Sequence, residues 1–138
     1  MIMHTTNYFN SFIEIAADCP VQFGEKPPQR GTKKSVANLQ YELLFENPYR
    51  FTSDDLLFAV FAQRKEIDKS EMEEARNEFF SKGQPCFRAS PLTKRYGWGI
   101  HSDKDGKVAM VGAESAEYKD FQSDDTLKKY KAMRSKRA

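Results

Sequence analysis

The sequence GWGIHSDKDGKVAMVGA, residues 97–113, contains the clearest fold signal in the chain. Both of its ends contain β-branched or aromatic residues, and the pair Asp105-Gly106 lies between them. An Asp-Gly pair between two β-type runs is typical of a tight hairpin. The stretch therefore predicts two antiparallel strands joined by a short turn.

The elements on either side of this hairpin follow from the same kind of pattern. Residues 8–17, YFNSFIEIAA, mix aromatic and β-branched side chains in partial alternation and predict a third strand. Apolar residues at helical spacing predict helices near 35–46, 53–65, 69–82, 116–121 and 126–134. The sequence thus predicts an α+β fold, in which a small antiparallel sheet of about three strands carries its helices on one face.

The helix predicted at 53–65 has the strongest start signal. Thr52 can cap it, and Asp55 follows three residues later, which is the spacing of a capping box. Its body, LLFAVFAQRK, is apolar on most sides. We therefore expect Phe58 and Phe61 to be buried.

Length and composition narrow the class of protein. A chain of 138 residues with 39% hydrophobic and 13% aromatic residues predicts one packed domain over 1–138. The sequence has neither an apolar run of the ~20 residues that a membrane span needs nor a signal peptide at its start. We therefore expect a cytoplasmic protein that does not enter the membrane. Its two cysteines, Cys19 and Cys86, are then expected to be free thiols.

No pattern in the sequence predicts a metal site or a cofactor. The four best candidate ligands, His4, Cys19, Cys86 and His101, are scattered along the chain without metal-ligand spacing. Phosphate-loop, dinucleotide and nucleophile-elbow motifs do not occur. We therefore expect neither a metal nor a cofactor.

Charge is distributed unevenly along the chain. The net charge is only +2, but residues 126–138 contain six Lys or Arg and no acid. Residues 26–41 and 79–102 also lack any Asp or Glu. Such asymmetry favours an anionic partner, either a small molecule or a nucleic acid.

The stretch SPLTKRYGWGIH, residues 90–101, combines cations with aromatic rings and with glycines that permit close approach. We predict a small binding protein for an anionic ligand that bears a phosphate or a nucleotide. Lys33 and Lys34 could form a second wall of that site. The predicted contact residues are Arg88, Lys94, Arg95, Tyr96, Trp98 and His101.

Other interpretations of the same residues stay open. Trp98 could simply be part of the core, with Lys94 and Arg95 in a solvated loop. The protein could be an enzyme that uses Cys86 or His101 on a small substrate. It could also be an oligomeric or interaction protein whose ring-rich surface is an interface.

Four motifs extend across nearly the whole chain: HTTNYFNSFIEIAADCP, YRFTSDDLLFAVFA, SPLTKRYGWGIHSDKDGK and AMRSKR. Together they resemble a small bacterial family of about this length, a domain of unknown function. The resemblance implies a single stand-alone cytoplasmic domain and supplies no activity, ligand or catalytic residue. Similar proteins begin at Met3, so Met1 and Ile2 are expected to come from an upstream start.

Overall fold

A computed structural model describes residues 3–136 of the protein, so Met1, Ile2 and the last two residues of the basic tail lie outside it. The centre of the fold is a sheet of four strands in the order β3-β2-β1-β4. Its strands are β1 (Ser11–Glu14), β2 (Trp98–Ser102), β3 (Val108–Gly112) and β4 (Lys128–Lys131). The sheet and its helices confirm the α+β class.

The hairpin predicted at 97–113 is present. Strands β2 and β3 pair antiparallel from Trp98↔Gly112 to Ser102↔Val108. Oδ1 of Asp103 accepts hydrogen bonds from the backbone N–H groups of Asp105 and Lys107, both at 2.9 Å. Gly106 supplies the left-handed backbone of the turn, with φ of 80°.

Four of the five predicted helices match helices of the structure within a few residues. The helices are α1 (Val36–Glu46), α2 (Ser53–Arg64), α3 (Met72–Phe80), α4 (Pro91–Lys94) and α5 (Ala116–Ser123). Short 3-10 turns, Lys69–Glu71 and Phe87–Ala89, precede α3 and α4. The capping box of α2 forms as predicted, since the Thr52 side chain accepts from the N–H of Asp55, and Asp55 accepts in return.

The helix predicted at 126–134 is wrong, because part of this segment is the strand β4. It pairs in parallel with β1, from Ser11↔Lys128 to Glu14↔Lys131. The sheet therefore has four strands and is mixed, instead of about three strands that are all antiparallel. The physical reason is that β1 is buried and needs hydrogen-bond partners on both of its edges, which outweighs the local helical spacing in the tail.

Helices cover both faces of the sheet, so the expectation of one covered face is also wrong. Phe12 of β1 contacts Tyr118 of α5 at a ring distance of 5.0 Å. Trp98 of β2 contacts Tyr41 of α1 at 5.8 Å, on the opposite face. Strand β1 has buried side chains on each face, Phe12 on one and Ser11 and Ile13 on the other, and a strand of that kind must be covered on both.

Buried apolar side chains form a main core and a smaller cluster. The main core includes Phe12, Leu56 and Val60, whereas the smaller cluster consists of Phe58, Ala62 and Phe80. Phe58 is buried as predicted, but Phe61 is only partly buried. The two clusters do not merge, and a pocket lies between them.

Candidate functional site

The pocket between the two clusters has a volume of about 290 Å³. We call it the apolar pocket. Helices α1, α2 and α3 and residues 84–91 form its sides. Its walls include Val36, Leu57, Val60, Phe61, Phe79 and Pro85. This composition is that of a small-molecule site, which is typically apolar with a few well-placed polar groups.

Gln40 is the polar group that the fold holds most firmly in this pocket. Its side chain is only 4% exposed, and its Oε1 accepts a hydrogen bond of 2.6 Å from Oγ of Ser90. Ser90 Oγ in turn accepts from the N–H of Leu92 and caps α4. Nε2 of Gln40 has no hydrogen-bond partner within residues 3–136, and it is not among their fully enclosed polar atoms. A molecule in the pocket could therefore accept a hydrogen bond from this amide.

Among the residues that the structure describes, the charged ones that line the apolar pocket are Arg64 and Lys65, and no Asp or Glu lines it. Both cations are exposed and lie at the carboxyl end of α2, where positive charge also suits the helix dipole. Apolar walls beside cations, with no carboxylate to neutralise them, can accommodate a molecule that has an apolar body and a negatively charged end.

A second, more polar cleft of about 530 Å³ adjoins the first and shares Arg64 and Lys65 with it. We call it the basic cleft. Its other lining residues are Thr32, Lys33, Lys34, Leu39, Gln63 and Glu66. Lys33 and Lys34 thus line a cleft that they share with the end of α2, and no residue of 90–101 lines it.

Cys86 lines the apolar pocket, and its nearest polar partner is a tyrosine. The hydroxyl of Tyr8 lies 3.4 Å from its Sγ. Burial, reinforced by the neighbouring thiol, raises the pKa of Tyr8 to about 12, so the phenol is protonated at neutral pH. Cys86 and Cys19 are both free thiols, and Cys19 is buried in the main core.

His101 lies away from Cys86 and from both cavities. Its Nδ1 is 2.7 Å from the Tyr49 hydroxyl, and its ring stacks on Phe121 at 4.1 Å. Burial lowers the pKa of His101, while Asp103 and Asp124 oppose that shift. The structure therefore does not bring together the cysteine and histidine that an enzyme hypothesis would pair.

The six residues predicted to contact an anion do not converge on one place. Trp98 and His101 are three positions apart on β2, so their side chains leave opposite faces of the sheet. Trp98 packs over Gly24 and donates from Nε1 to the carbonyl of Glu25 at 2.8 Å. The indole is therefore held by the segment that joins β1 to α1.

The remaining four predicted residues lie on two other parts of the surface. Nε of Arg88 donates to the carbonyl of Lys131 at 2.7 Å, and its guanidinium lies 6.0 Å from the Tyr130 ring centroid. Arg88 thus belongs with β4. Lys94 is the last residue of α4, with Arg95 exposed and Tyr96 half-buried directly after it.

Sequence reasoning missed Gln40, Arg64 and Lys65 as site residues. The signal that could have found Gln40 was present, because two of the acid-free segments, 26–41 and 79–102, together supply most of the apolar pocket. Arg64 and Lys65 come from α2, outside those segments. Only the folded chain brings them to the same opening.

Among residues 3–136, no group of three or more His, Cys, Asp or Glu side chains is placed to hold a metal ion. Across the same residues, no helix has the length and apolar character that a membrane span requires.

Comparisons with known proteins give one match. Neither the curated proteins nor the solved structures include a protein that matches this chain. A protein-family model, described as a family of unknown function, matches residues 3–138. Because that match covers nearly the whole chain, the protein belongs to the family of unknown function DUF6157.

Proposed function

We propose that the protein binds a small ligand with an apolar body and an anionic end, and that the apolar pocket is its site. The observation that carries this proposal is a pocket with apolar walls and two cations at its edge, in which no carboxylate of residues 3–136 takes part in the lining. The proposal keeps the anionic ligand that the charge pattern predicts. It moves the charged contact from Lys94, Arg95 and His101 to Arg64 and Lys65.

The walls of the pocket supply the binding free energy. Each methylene of a ligand that leaves water for such walls contributes about 0.8 kcal/mol. A body of only a few carbons can therefore offset a large part of the entropy that a ligand loses on binding.

The polar groups supply orientation. The free amide hydrogens of Gln40 can donate to an oxygen of the ligand, and Ser90 holds that amide in place. Arg64 and Lys65 attract the anionic end towards the opening. A neutral molecule of the same shape would lack this second attraction and should bind less tightly.

The proposed setting is the cytoplasm of a bacterial cell. Support for a reducing compartment comes from the two free thiols, one of which is buried while the other lines the pocket. Catalysis is not part of the proposal, since the described contacts of Cys86 include Tyr8 and no histidine.

The test uses Cys86 as a reporter of occupancy. The purified protein is treated with iodoacetamide in the presence of hexanoate or octanoate, and alkylation of each cysteine is followed by mass spectrometry. We expect both acids to slow the alkylation of Cys86, octanoate more strongly. The buried Cys19 should stay unreactive throughout.

A matched pair of variants checks the location of the site. Ala89 lines the apolar pocket and Ala113 lies outside it, and both are half-buried. Ala89→Phe should abolish protection by octanoate, and Ala113→Phe should retain it. If the Ala89→Phe protein has a native circular dichroism spectrum and still binds octanoate like the wild type, the pocket is not the site.

A further inference from the structure

We propose that the anionic end of the ligand is a phosphate monoester or a diphosphate, and that it lies in the basic cleft while the apolar body fills the apolar pocket. This inference rests on the proposed function and names the class of ligand. The ligand would be a short-chain alkyl or prenyl phosphate.

The two cavities are placed for one molecule to occupy both. They share Arg64 and Lys65, so the same two cationic side chains border both cavities. A ligand whose carbon chain lies against Val60 and Phe61 would therefore have its head group beside these cations. The basic cleft continues from that point.

The charge of the basic cleft exceeds what one carboxylate needs. From the described part of the chain, four cations line it, Lys33, Lys34, Arg64 and Lys65, against the single carboxylate of Glu66. Lys34 forms an ion pair with Glu42 at 2.8 Å, and the other three cations form no ion pair within residues 3–136. A phosphate monoester has a charge of about −1.5 to −2 at neutral pH and three acceptor oxygens, so it matches several cations better than a carboxylate does.

The lining of the apolar pocket favours an aliphatic body over a nucleoside. A nucleobase presents several donors and acceptors along its edge, and each loses free energy if it is buried without a partner. In this pocket the oxygen of Gln40 and the hydroxyl of Ser90 already bond each other, and Nε2 of Gln84 already donates to the carbonyl of Phe79 at 2.7 Å. The remaining uncharged lining is largely apolar and includes Val36, Leu57, Val60, Phe61, Phe79 and Pro85.

The experiment compares ligands that differ in one part at a time. Affinities of butyl, hexyl and octyl phosphate, octanoate, octanol, inorganic phosphate and AMP are measured by isothermal titration calorimetry on the full chain. We expect octyl phosphate to bind most tightly. Each further methylene should strengthen binding about fourfold until the pocket is full.

Variants then test the basic cleft separately from the apolar pocket. Lys33 lines the basic cleft but not the apolar pocket, whereas Lys104 is an exposed lysine in the hairpin turn. Lys33→Gln should weaken octyl phosphate by about 1.5- to 5-fold and leave octanol unchanged. Lys104→Gln should change neither affinity. Added salt should reduce the advantage of octyl phosphate over octanoate.

The possible results separate the two proposals. Equal affinities for octyl phosphate and octanoate, with no effect of Lys33→Gln, would overturn this inference and leave the proposed function standing. If no alkyl compound binds, both are wrong. Tighter binding of AMP or of inorganic phosphate than of octyl phosphate would overturn the inference. So would binding to vesicles that contain phosphatidic acid without binding to monomeric octyl phosphate.

Discussion

Gly97, the residue immediately before β2, should be the least replaceable glycine among those with a positive φ. Its φ is 75°, which disfavours any side chain. A Cβ at this position would also lie 2.7 Å from the carbonyl carbon of Phe23 and closer still to its oxygen. The obstacle is backbone, so it cannot rotate away.

Gly31 provides the matched control for this substitution. It has nearly the same φ, 77°, but a Cβ there would have no neighbour within 4 Å. Gly31→Ala should therefore destabilise the fold only by the cost of placing a side chain on a left-handed backbone, about 1–2 kcal/mol. Gly97→Ala should lose that amount plus the clash with Phe23, and we expect a total of at least about 3 kcal/mol.

Urea denaturation of the two variants gives the measurement. Unfolding is followed by circular dichroism and by the fluorescence of Trp98, the only tryptophan, which packs beside Gly97. Equal losses in the two variants would show that the chain at Phe23 is not held against β2. The reasoning would then be refuted, because only that contact distinguishes the two glycines.

Three further predictions test other features. Burial lowers the pKa of His101 in the folded protein, so His101 binds a proton more readily in the unfolded chain than in the folded one. Stability should therefore fall as the pH drops below about 6.5, and His101→Gln should reduce that slope in urea titrations. Glu66 lies two residues after α2 and has a left-handed φ of 51°. Glu66→Gly should raise the free energy of unfolding by about 0.5–1 kcal/mol, with no gain in Glu66→Ala. Phe58→Ala should lower the free energy of unfolding by about 3–5 kcal/mol, because Phe58 is buried. Phe61→Ala should lower it by clearly less, because Phe61 faces the apolar pocket. Equal losses in the two variants would contradict the presence of the pocket.

Short sequence motifs correctly predicted the structural features that depend on residues close together in the chain. The turn around Asp105-Gly106 and the capping box at Thr52 depend on residues within a few positions of each other, and both are present. The strand β4 has a distant cause, because its partner β1 lies at the other end of the chain. The spacing of Leu127 and Tyr130 also fits the period of a helix, so the sequence pattern predicted a helix where the structure has a strand.

The candidate site shows a different limit. Cations and rings that are close in sequence were expected to be close in space, but alternation along β2 separates Trp98 from His101. The predicted strand already contained that information. By contrast, nothing in the sequence distinguishes Phe58, a core residue, from Phe61, a pocket wall, because both fit one apolar helix. That distinction depends on how two clusters of side chains pack.

The parallel pairing of β1 with β4 has a consequence for how the chain folds during synthesis. Ser11 pairs with Lys128, so 117 residues (128 minus 11) must be added after Ser11 before the second edge of β1 finds a partner. Pairings of such sequence separation form slowly, since a long loop must close first. While the ribosome is still adding those residues, Phe12 and Ile13 lie in a strand with an open edge, which is where other chains or a chaperone would bind. The last strand to be made is thus the one that completes the sheet.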